Sequence, residues 1–516
     1  MNSSTIDVLI VGAGPTGTAL AIDLIRRGVS VRLIDRSPNE FDGSRAKGVQ
    51  PRTMEVLEDL GVIDEILANG STYPKMGIHL GPVTIPKRMI ASAADGSRVP
   101  YPDTWLIPQN RTVAALHRRF EAVGGLIELG TELSSFESLP DHVVTTVAGP
   151  SGDETITSLF LVGADGGSSR VRKGIGVDFV GSTDEQDRML IVDAAVDGVA
   201  LSRNYWHVWP GLRGRFVGAC PLPHSDLFQW MIRLSPNEAP PTDLVTITDR
   251  IRSHTGMKKL RLTAVQWRSV FRPNIRLAER YRSGRVFLAG DAAHVHTPAG
   301  AQGMNTGIGD AYNLGWKLAQ VLAGADADLL DTYENERRPI AAAVLGLSTA
   351  KYDGIAKLDP SSLKRGADEQ QLTLTYFGGP LASAQSRRTA GVSVGDRAPD
   401  AVLLTTDGAP TRLFESMKGP HFTAIALGPM AAFALAVLQW PSVGAELRRL
   451  VITPDAVDVA AHMTVILDPK NELRKSYGIT GDAIVLVRPD GYIGNIALNN
   501  HKQSTAAAVR TLTGTA

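Results

Sequence analysis

The N-terminal segment constrains the fold more than any other part of the chain. An apolar run at Ile6–Val11 is followed by Gly12-Ala-Gly14-Pro-Thr-Gly17, a helical pattern at Ala19–Arg27 and a second apolar run at Val29–Ile34. Asp35 ends the second run, 21 positions after Gly14. Three glycines at this spacing between a strand and a helix, with an acid beyond the next strand, indicate a dinucleotide-binding βαβ unit. The pattern predicts an α/β protein with a Rossmann-like domain; a glycine-rich turn in an ordinary α/β protein is the alternative.

Each part of this pattern has a physical role in nucleotide binding. Gly12 permits a tight turn, Gly14 lets the backbone approach a pyrophosphate, and Gly17 allows close helix–strand packing. The pyrophosphate then meets free N–H groups at the positive end of the helix dipole. Asp35, followed by Arg36, is the candidate ribose contact, and an acid at this position disfavours a 2′-phosphate.

The size and charge of the chain exclude several classes of protein. Its 516 residues exceed what one hydrophobic core supports, so two or three domains are expected. Lys plus Arg and Asp plus Glu are both 53, and without a basic excess we expect no nucleic acid partner. Cys220 is the single cysteine, which excludes an intramolecular disulfide and a Cys-rich metal site. With no visible signal peptide, a cytoplasmic location is expected.

An uncharged, mostly apolar stretch at Phe422–Trp440 has two interpretations. It is long enough for a membrane helix, which needs about 20 apolar residues. Gly428-Pro429 interrupts it, which favours a buried strand at Phe422–Leu427 followed by a core helix at Ala431–Gln439. We therefore expect no membrane span.

Changes of pattern along the chain predict an interrupted nucleotide domain with an inserted sheet and an appended domain. We assign residues 1–72, 101–180 and 283–356 to the first domain, the last with a long helix, and 73–100 and 181–282 to a substrate-binding β-sheet. Residues 357–394 are expected to be a linker, and 395–516 an α/β domain. Aromatic residues concentrate in the second half of the sheet region, where they would line a ligand pocket on one face or fill the core: Tyr205, Trp206, Trp209, Trp230, Trp267 and Phe271.

Two further motifs follow the first in a fixed order. They are Gly163-Ala-Asp165-Gly166-Gly-Ser-Ser-Arg170-Val-Arg172, and Gly290-Asp291-Ala-Ala-His294 with Pro298 and Gly300-Ala-Gln302-Gly303-Met-Asn305-Thr-Gly307. The ordered set resembles the group A flavoprotein monooxygenases, aromatic hydroxylases with the para-hydroxybenzoate hydroxylase fold, over about residues 5–350. Shorter runs also match that family, namely Arg45-Ala46, Pro51-Arg52-Thr53, Pro108-Gln109-Asn110-Arg111 and Tyr333-x-x-Glu336-Arg-Arg-Pro339.

The resemblance implies FAD as the cofactor and NADH or NADPH as the reductant. It places Asp291 at the ribityl hydroxyls, and the helix start at Gly303, Met304 and Asn305 at the flavin edge that gains negative charge on reduction. It places Arg45 and Arg111 at the pyrophosphate and ribityl side, with Arg45 also gating nicotinamide access. Asp165 would support the binding of both FAD and nicotinamide, and Pro298 would line the flavin ring as a catalytic residue.

Departures from the family pattern are few. Asp35 stands where relatives usually have Glu, and Ala301 replaces a common glycine, so its methyl group is unfavourable if the loop needs a positive φ. His294 and His296 form an H-x-H pair without an accompanying carboxylate or Cys set, so no metal site is expected.

The last part of the chain resembles the thioredoxin-like domain of phenol hydroxylase-type members. Gly395-Asp-Arg-Ala-Pro399 opens it, and Ala483–Val487 with Asp490-Gly491 forms the closing hairpin. Because it contains no cysteine, thiol redox chemistry is excluded and its expected role is structural. The chain is expected to be a monomer or a homodimer.

The resemblance predicts an FAD-dependent monooxygenase that hydroxylates a phenolic or polyketide-type aromatic substrate with O2. In this family the oxygen is transferred from a C4a-hydroperoxyflavin, so the protein positions the ring and excludes water. A Baeyer–Villiger, epoxidising or decarboxylating oxygenase is the alternative, as is a non-catalytic protein that binds flavin or an aromatic ligand. No residue stands out from sequence as the base that deprotonates a phenol.

Overall fold

The computed structural model describes residues 5–88, 90, 98–211, 215–297, 301–356, 366–382 and 386–515. The strands are β1 (Ile6–Val11), β2 (Val31–Asp35), β3 (Gly48–Val49), β4 (Ser71–Thr72), β5 (Lys75–Leu80), β6 (Val83–Lys87), β7 (Trp105–Leu106), β8 (Ile127–Leu129), β9 (Glu132–Ser138), β10 (Val143–Gly149), β11 (Gly152–Gly163), β12 (Phe179–Thr183), β13 (Met189–Asp197), β14 (Tyr205–Pro210), β15 (Phe216–Pro221), β16 (Leu227–Arg233), β17 (Arg261–Phe271), β18 (Asn274–Ala278), β19 (Arg282–Ser283), β20 (Val286–Leu288), β21 (His294–Val295), β22 (Val402–Leu404), β23 (Pro410–Arg412), β24 (Phe422–Leu427), β25 (Leu447–Thr453), β26 (Thr464–Leu467), β27 (Ala483–Val487) and β28 (Ile493–Ala497). The helices are α1 (Pro15–Ile25), α2 (Pro51–Asp59), α3 (Ile63–Asn69), α4 (Gln109–Ala122), α5 (Arg170–Gly174), α6 (Leu244–Thr255), α7 (Gly303–Leu322), α8 (Asp331–Ala356), α9 (Leu413–Met417), α10 (Pro429–Ala436), α11 (Glu472–Tyr477) and α12 (His501–Thr513).

The nucleotide-binding domain is built on a sheet in the order β19-β20-β11-β1-β2-β8, extended by the β9–β10 ribbon. β20, β11, β1, β2 and β8 run parallel, and side chains of β1 such as Leu9 and Ile10 are fully buried, as expected for a parallel sheet that is covered on both faces. The parallel arrangement brings the chain segments after β1, β11 and β20 to one edge of the sheet. The three sequence motifs follow these three strands.

A second sheet, in the order β17-β13-β16-β15-β14-β5-β6, joins two distant parts of the chain. Within it β5 pairs with β14 in parallel, while its other neighbouring strands are antiparallel. One face, which we call the outer face, packs against α6 through Ile247 and Ile251. The opposite face, the inner face, is turned toward the nucleotide-binding domain.

The C-terminal domain has a seven-stranded mixed sheet in the order β23-β22-β26-β25-β24-β27-β28. This thioredoxin-like arrangement includes the stretch expected at Phe422–Trp440, which forms the buried strand β24 and then α10 after a break at Gly428, whose φ is +97°. Among the described residues, no helix combines the length and apolarity that a membrane crossing requires.

A buried ion network fixes the C-terminal domain to the nucleotide-binding domain. Glu336 of α8 accepts hydrogen bonds from Arg488 Nη1 (2.6 Å) and from Lys317 Nζ of α7 (2.7 Å). Arg488 Nε also donates to Asp490 (2.9 Å), and Asp490 accepts from the Trp316 indole (3.2 Å). The motif around Glu336 therefore holds the two domains together.

The segment that was expected to be a linker packs onto the helices in the part that the structure describes. Gln371 Nε2 donates to Gln302 Oε1 (2.8 Å), and the Tyr376 hydroxyl accepts from Arg337 Nη1 (3.0 Å). Tyr376 also packs on Tyr492 of the C-terminal domain, with ring centroids 4.3 Å apart. Residues 357–365 and 383–385 lie outside the described residues.

Candidate active site

The glycine turn after β1 has the geometry that its spacing predicts. Gly12 has a φ of +108°, and a Cβ there would lie 2.4 Å from the carbonyl oxygen of Ala164. A Cβ on Gly17 would lie 1.9 Å from the Gly12 oxygen, so α1 approaches the turn more closely than any side chain permits. Gly14 precedes α1, and a Cβ there would meet nothing within 4 Å. The turn therefore faces open space at the positive end of the α1 dipole.

Asp35 at the end of β2 holds this turn in place. Its Oδ2 accepts a hydrogen bond from Ala13 N (2.8 Å) and its Oδ1 accepts from Ser37 N (2.8 Å). A carboxylate offers about four acceptor positions, so capacity remains for a ribose hydroxyl beside the turn. Arg36 is exposed next to it.

The middle motif contains an unpartnered acceptor. Asp165 Oδ2 accepts from Arg170 N (2.7 Å), whereas its Oδ1 is buried without a hydrogen-bond partner in the described part of the chain. Buried oxygens are nearly always hydrogen-bonded, so this atom marks a position where a ligand donor fits. Arg172 connects the motif to the third one, since its Nη1 donates to the Ala292 oxygen (2.8 Å).

Asp291 and Arg45 lie close together at the same edge. Asp291 belongs to a single 3-10 turn that follows β20. Arg45 Nη2 is 3.9 Å from Asp291 Oδ2, and the two side chains are 65% and 42% exposed. A pair this open and this distant contributes little to stability, so both groups are available to a ligand.

The H-x-H pair has a structural explanation. His294 Nε2 lies 2.7 Å from Asp310 Oδ2 on α7, and His294 Nδ1 lies 3.2 Å from His296 Nε2. Burial raises the pKa of Asp310, but His294 and Arg337 outweigh it and lower that pKa. In the described ranges no three His, Cys, Asp or Glu side chains come together as metal ligands.

The start of α7 is fixed to the loop that carries Arg45. α7 begins at Gly303, Met304 packs against the core of the domain, and Asn305 Nδ2 donates to the Gly48 oxygen (2.8 Å). Ala301 has a φ of +54°. The alanine that replaces the family's common glycine therefore adopts the left-handed conformation, in which its methyl group is unfavourable. Pro298 and Gly300 lie outside the described residues.

The segment Gly43–Gly48 lies between the inner face and the α7 loop. Trp267 of β17 covers Gly43, where a Cβ would lie 2.5 Å from the indole ring. Ser44 Oγ donates to Asp193 of β13 (2.7 Å), while a Cβ on Gly48 would lie 2.9 Å from the Ala301 methyl group. This one segment therefore joins the substrate sheet to the motif that would hold the flavin.

The aromatic residues of the sheet divide between its two faces, which the sequence analysis did not resolve. Tyr205, Trp209 and Trp230 lie on the outer face, where Trp209 and Trp230 belong to the core beneath α6. Trp206, Trp267 and Phe271 lie on the inner face, together with the half-buried side chains of Ile191, Val208 and Met231. The inner face is therefore a broad apolar wall opposite the start of α7.

The side chain of Arg111 contacts backbone carbonyl groups, and its expected place at the pyrophosphate and ribityl side stays a prediction. It stands in the first turn of α4, but its Nη1 donates to Pro223 O (2.6 Å) and Asn69 O (3.3 Å), and its Nη2 to His224 O (3.2 Å). The guanidinium holds the start of α4 to the β15–β16 turn.

Sequence reasoning missed a polar cluster on the inner face. Lys47 Nζ donates to Gln229 Oε1, Gln229 Nε2 donates to Ser44 Oγ, and Ser44 binds Asp193. The members come from positions about 180 residues apart, since Lys47 and Gln229 are separated by 182 residues. Lys47 directly follows the Arg45-Ala46 run, which was the one sequence signal near the cluster.

Comparison with known proteins agrees with this geometry. Residues 5–348 match the family model described as FAD binding domain, and residues 392–516 match the model described as aromatic-ring hydroxylase, C-terminal. A flavin-dependent monooxygenase of Mycobacteroides abscessus is 38% identical over 496 residues, which cover 94% of this chain and 96% of that protein. A 12-dehydrotetracycline 5-monooxygenase/anhydrotetracycline 6-monooxygenase of Streptomyces rimosus is 34% identical over 520 residues, covering 94% of each. The solved structure of aklavinone-11 hydroxylase with FAD and aklavinone superposes with a TM-score of 0.80 at 26% identity, covering 99% of this chain and 100% of that one.

Proposed function

The chain belongs to the FAD-dependent aromatic-ring hydroxylases, and from that membership we propose that its substrate is a fused-ring phenol of the polyketide type. It is a monooxygenase, and NADH or NADPH is the reductant typical of its family. The observation that carries the substrate class is the inner face, a wall of half-buried apolar side chains opposite the start of α7.

The residues around the cleft fit FAD. The open glycine turn at Gly12, Gly14 and Gly17 would receive the pyrophosphate at the α1 N-terminus, and Asp35 with Arg36 would lie at the ribose. The unpartnered Asp165 Oδ1 and the exposed Asp291 carboxylate offer acceptors for further hydroxyls of the cofactor. We retain Pro298 as the proposed residue lining the ring.

Bound FAD supplies hydride acceptance from the nicotinamide and transfer of one oxygen atom from O2 to the ring. With FAD bound, the first turn of α7, at Gly303, Met304 and Asn305, would direct N–H groups and a positive dipole end toward negative charge on the flavin. Asn305 holds that turn to the Gly43–Gly48 segment through its hydrogen bond to the Gly48 oxygen. Arg45 is exposed, so its guanidinium is accessible to an incoming nicotinamide. With substrate bound, the apolar inner face would help to keep water away from the reacting ring.

The substrate class rests on the width of the inner face and on the relatives. Half-buried side chains from four strands, including Ile191, Trp206, Met231 and Phe271, form one apolar surface. One relative is named for anhydrotetracycline, and the solved neighbour contains aklavinone. A single ring would leave much of this wall exposed to water, whereas a fused-ring system would bury it.

The expectation of a cytoplasmic monomer or homodimer stays a prediction.

The test compares fused-ring and single-ring phenols with the FAD-loaded protein. Anaerobic stopped-flow measurement with NADH and with NADPH records how much each phenol accelerates flavin reduction, and peroxide release shows whether oxygen reaches the ring. We expect coupled oxidation of fused-ring phenols and weak or uncoupled turnover of single rings. Equal coupling with single-ring phenols would contradict the proposed class, and so would flavin reduction that no fused-ring phenol accelerates.

Trp206→Leu on the inner face is the matching variant, and Val245→Leu on α6 is its control because Val245 is 71% exposed on the far side of the sheet. Loss of fused-ring coupling in the first variant alone would support the assignment of the inner face.

A further inference from the structure

Lys47 is a buried amine that the fold leaves incompletely satisfied. Its side chain is 9% exposed, and its Nζ donates to Gln229 Oε1 and lies 4.6 Å from the centroid of the Trp206 ring. It forms no ion pair with a carboxylate in the described ranges, because Asp193, its acidic neighbour, accepts from Ser44 N and Ser44 Oγ instead. An ammonium group has three donors, and burying one without an anionic partner is costly.

The partner of Lys47 is held rigidly. Gln229 is 1% exposed, and its Nε2 donates to Ser44 Oγ, which in turn donates to Asp193. These hydrogen bonds turn the Gln229 carbonyl oxygen toward Lys47, so they fix the position of the amine without supplying a negative charge that would keep it protonated. A second unsatisfied donor lies beside it, because Trp206 Nε1 is buried without a hydrogen-bond partner in the described ranges.

These two donors lie where the inner face of the substrate sheet meets the loop before α7, which contains Ala301. Lys47 immediately precedes Gly48, where a Cβ would lie 2.9 Å from the Ala301 methyl group and 2.7 Å from the Tyr73 hydroxyl. Trp206 belongs to the inner face, among the half-buried apolar side chains described above. A ligand that covers this wall with its rings would therefore bring a ring oxygen against Lys47 and Trp206.

We propose that Lys47 binds the phenolic oxygen of the substrate and takes its proton, with the Trp206 indole as a second donor to the resulting phenolate. The O–H bond of the phenol breaks, a new N–H bond forms on the Lys47 amine, and the oxygen keeps the electron pair. That pair enriches the ring with electrons, which favours attack by an electrophilic oxygen. The ammonium and the phenolate then neutralise each other inside the cleft. This inference rests on the proposed aromatic substrate.

The charges around Lys47 agree with this role. Burial lowers the pKa of Lys47, and Cys220 of β15 and Asp193 of β13 oppose that effect. Burial raises the pKa of Cys220 to about 11, so its thiol stays neutral. Burial likewise raises the pKa of Asp193, against its hydrogen bonds from Ser44 and the charge of Lys47. Among the described residues no carboxylate forms an ion pair with the Lys47 amine, so the amine can accept a proton from the substrate.

The test uses alizarin, a dihydroxyanthraquinone that changes colour when a phenol group ionises, with the FAD-loaded protein. We expect bound alizarin to show the ionised band at a pH at which the free dye is neutral. Lys47→Met should bind the dye in its neutral form and lose that band, and Lys47→Arg should restore the bound phenolate. Lys75→Met on β5, an exposed position of the same sheet, should behave as the wild type.

Each outcome decides between the two proposals. An ionised band of equal strength in the wild type and in Lys47→Met, at equal FAD content, would overturn the role of Lys47 and leave the substrate class standing. Bound dye that titrates in the wild type at the same pH as free dye would do the same without any variant. Absence of alizarin binding to the wild-type holoenzyme would overturn both the fused-ring class and the role of Lys47.

Discussion

The buried ion network between the domains makes a quantitative prediction for Glu336→Gln. The Glu336 carboxylate is fully buried and accepts from Arg488 Nη1 and Nη2, from Lys317 Nζ and from Asn313 Nδ2. In Glu336→Gln, the NH2 group of the amide would face N–H donors of Arg488, Lys317 or Asn313 that now bind a carboxylate oxygen. The substitution also removes the negative charge that is paired with Lys317. Arg488 would keep Asp490 as its counterion.

The pKa of Glu336 sets the size of the effect. Burial acts to raise that pKa, but Arg488 and Lys317 lower it from 4.5 to about 2. Such a shift corresponds to about 3 kcal/mol of folding free energy, at the low end of the roughly 3–5 kcal/mol lost when one partner of a buried pair is removed. The change in Tm is this free energy divided by the unfolding entropy, which is about 2.1 cal/mol/K per residue. If the whole chain unfolds cooperatively, the Tm of Glu336→Gln should be about 3–5 °C lower than that of the wild type.

The assay is thermal unfolding of FAD-loaded protein, followed by flavin fluorescence and circular dichroism. Glu415→Gln is the control, since Glu415 forms an exposed pair with Lys418 and its loss should change stability by less than about 0.5 kcal/mol. Because the folded pKa of Glu336 lies below the unfolded value, its contribution is present above about pH 4.5 and is lost as the pH falls toward 2. The deficit of Glu336→Gln should shrink over that range. A Tm equal to that of the control at neutral pH would refute the reasoning.

Three further substitutions test the proposed cofactor site. Asp291→Ala should raise the FAD dissociation constant at least about tenfold in a fluorescence titration. A lost hydrogen bond to a charged group costs about 1.5–3 kcal/mol, and about 1.4 kcal/mol corresponds to tenfold. Unchanged affinity would contradict the assignment. Ala301→Gly should raise the Tm of the FAD-loaded protein by about 1 °C. A left-handed alanine costs roughly 1–2 kcal/mol, and part of that gain is offset because glycine loses more backbone conformational entropy on folding. A lower Tm would argue against backbone strain at Ala301. Gly17→Val should abolish recovery of folded, FAD-loaded protein, because a Cβ at this position would lie 1.9 Å from the Gly12 oxygen. Gly28→Ala is the control: a Cβ there meets nothing within 4 Å, so the protein should be recovered with only a modest loss of stability.

The nucleotide-binding part of the fold could be predicted because its determinants are local. The strand, glycine turn, helix and acid between Ile6 and Asp35 occur within one short segment, and its backbone geometry follows from steric limits at Gly12 and Gly17. The interruption at Gly428-Pro429 likewise identified β24 and α10 from chain chemistry alone. Family membership followed from the order of three such local motifs.

Features that depend on strand pairing were not predictable in the same way. Trp206 and Trp209 are three positions apart in one strand, so strand geometry already places them on opposite faces, but which face meets the flavin depends on the pairing of β14 with β5 and β15. The Lys47 cluster forms only when β13 and β16 pair and the segment Gly43–Gly48 packs on them. The spacing of Arg111 in its motif gave no sign that its guanidinium would bind carbonyl groups of the β15–β16 turn.

The network at Glu336 also bears on how domains can be exchanged between relatives. Its acid and one lysine come from the nucleotide-binding domain, whereas Arg488 and Asp490 come from the closing hairpin of the C-terminal domain. A chimera joined at about residue 395 that brings a foreign C-terminal domain without this Arg and Asp would bury Glu336 and Lys317 against unmatched groups. Recombination at this boundary therefore requires that the hairpin and α8 be inherited as a matched pair.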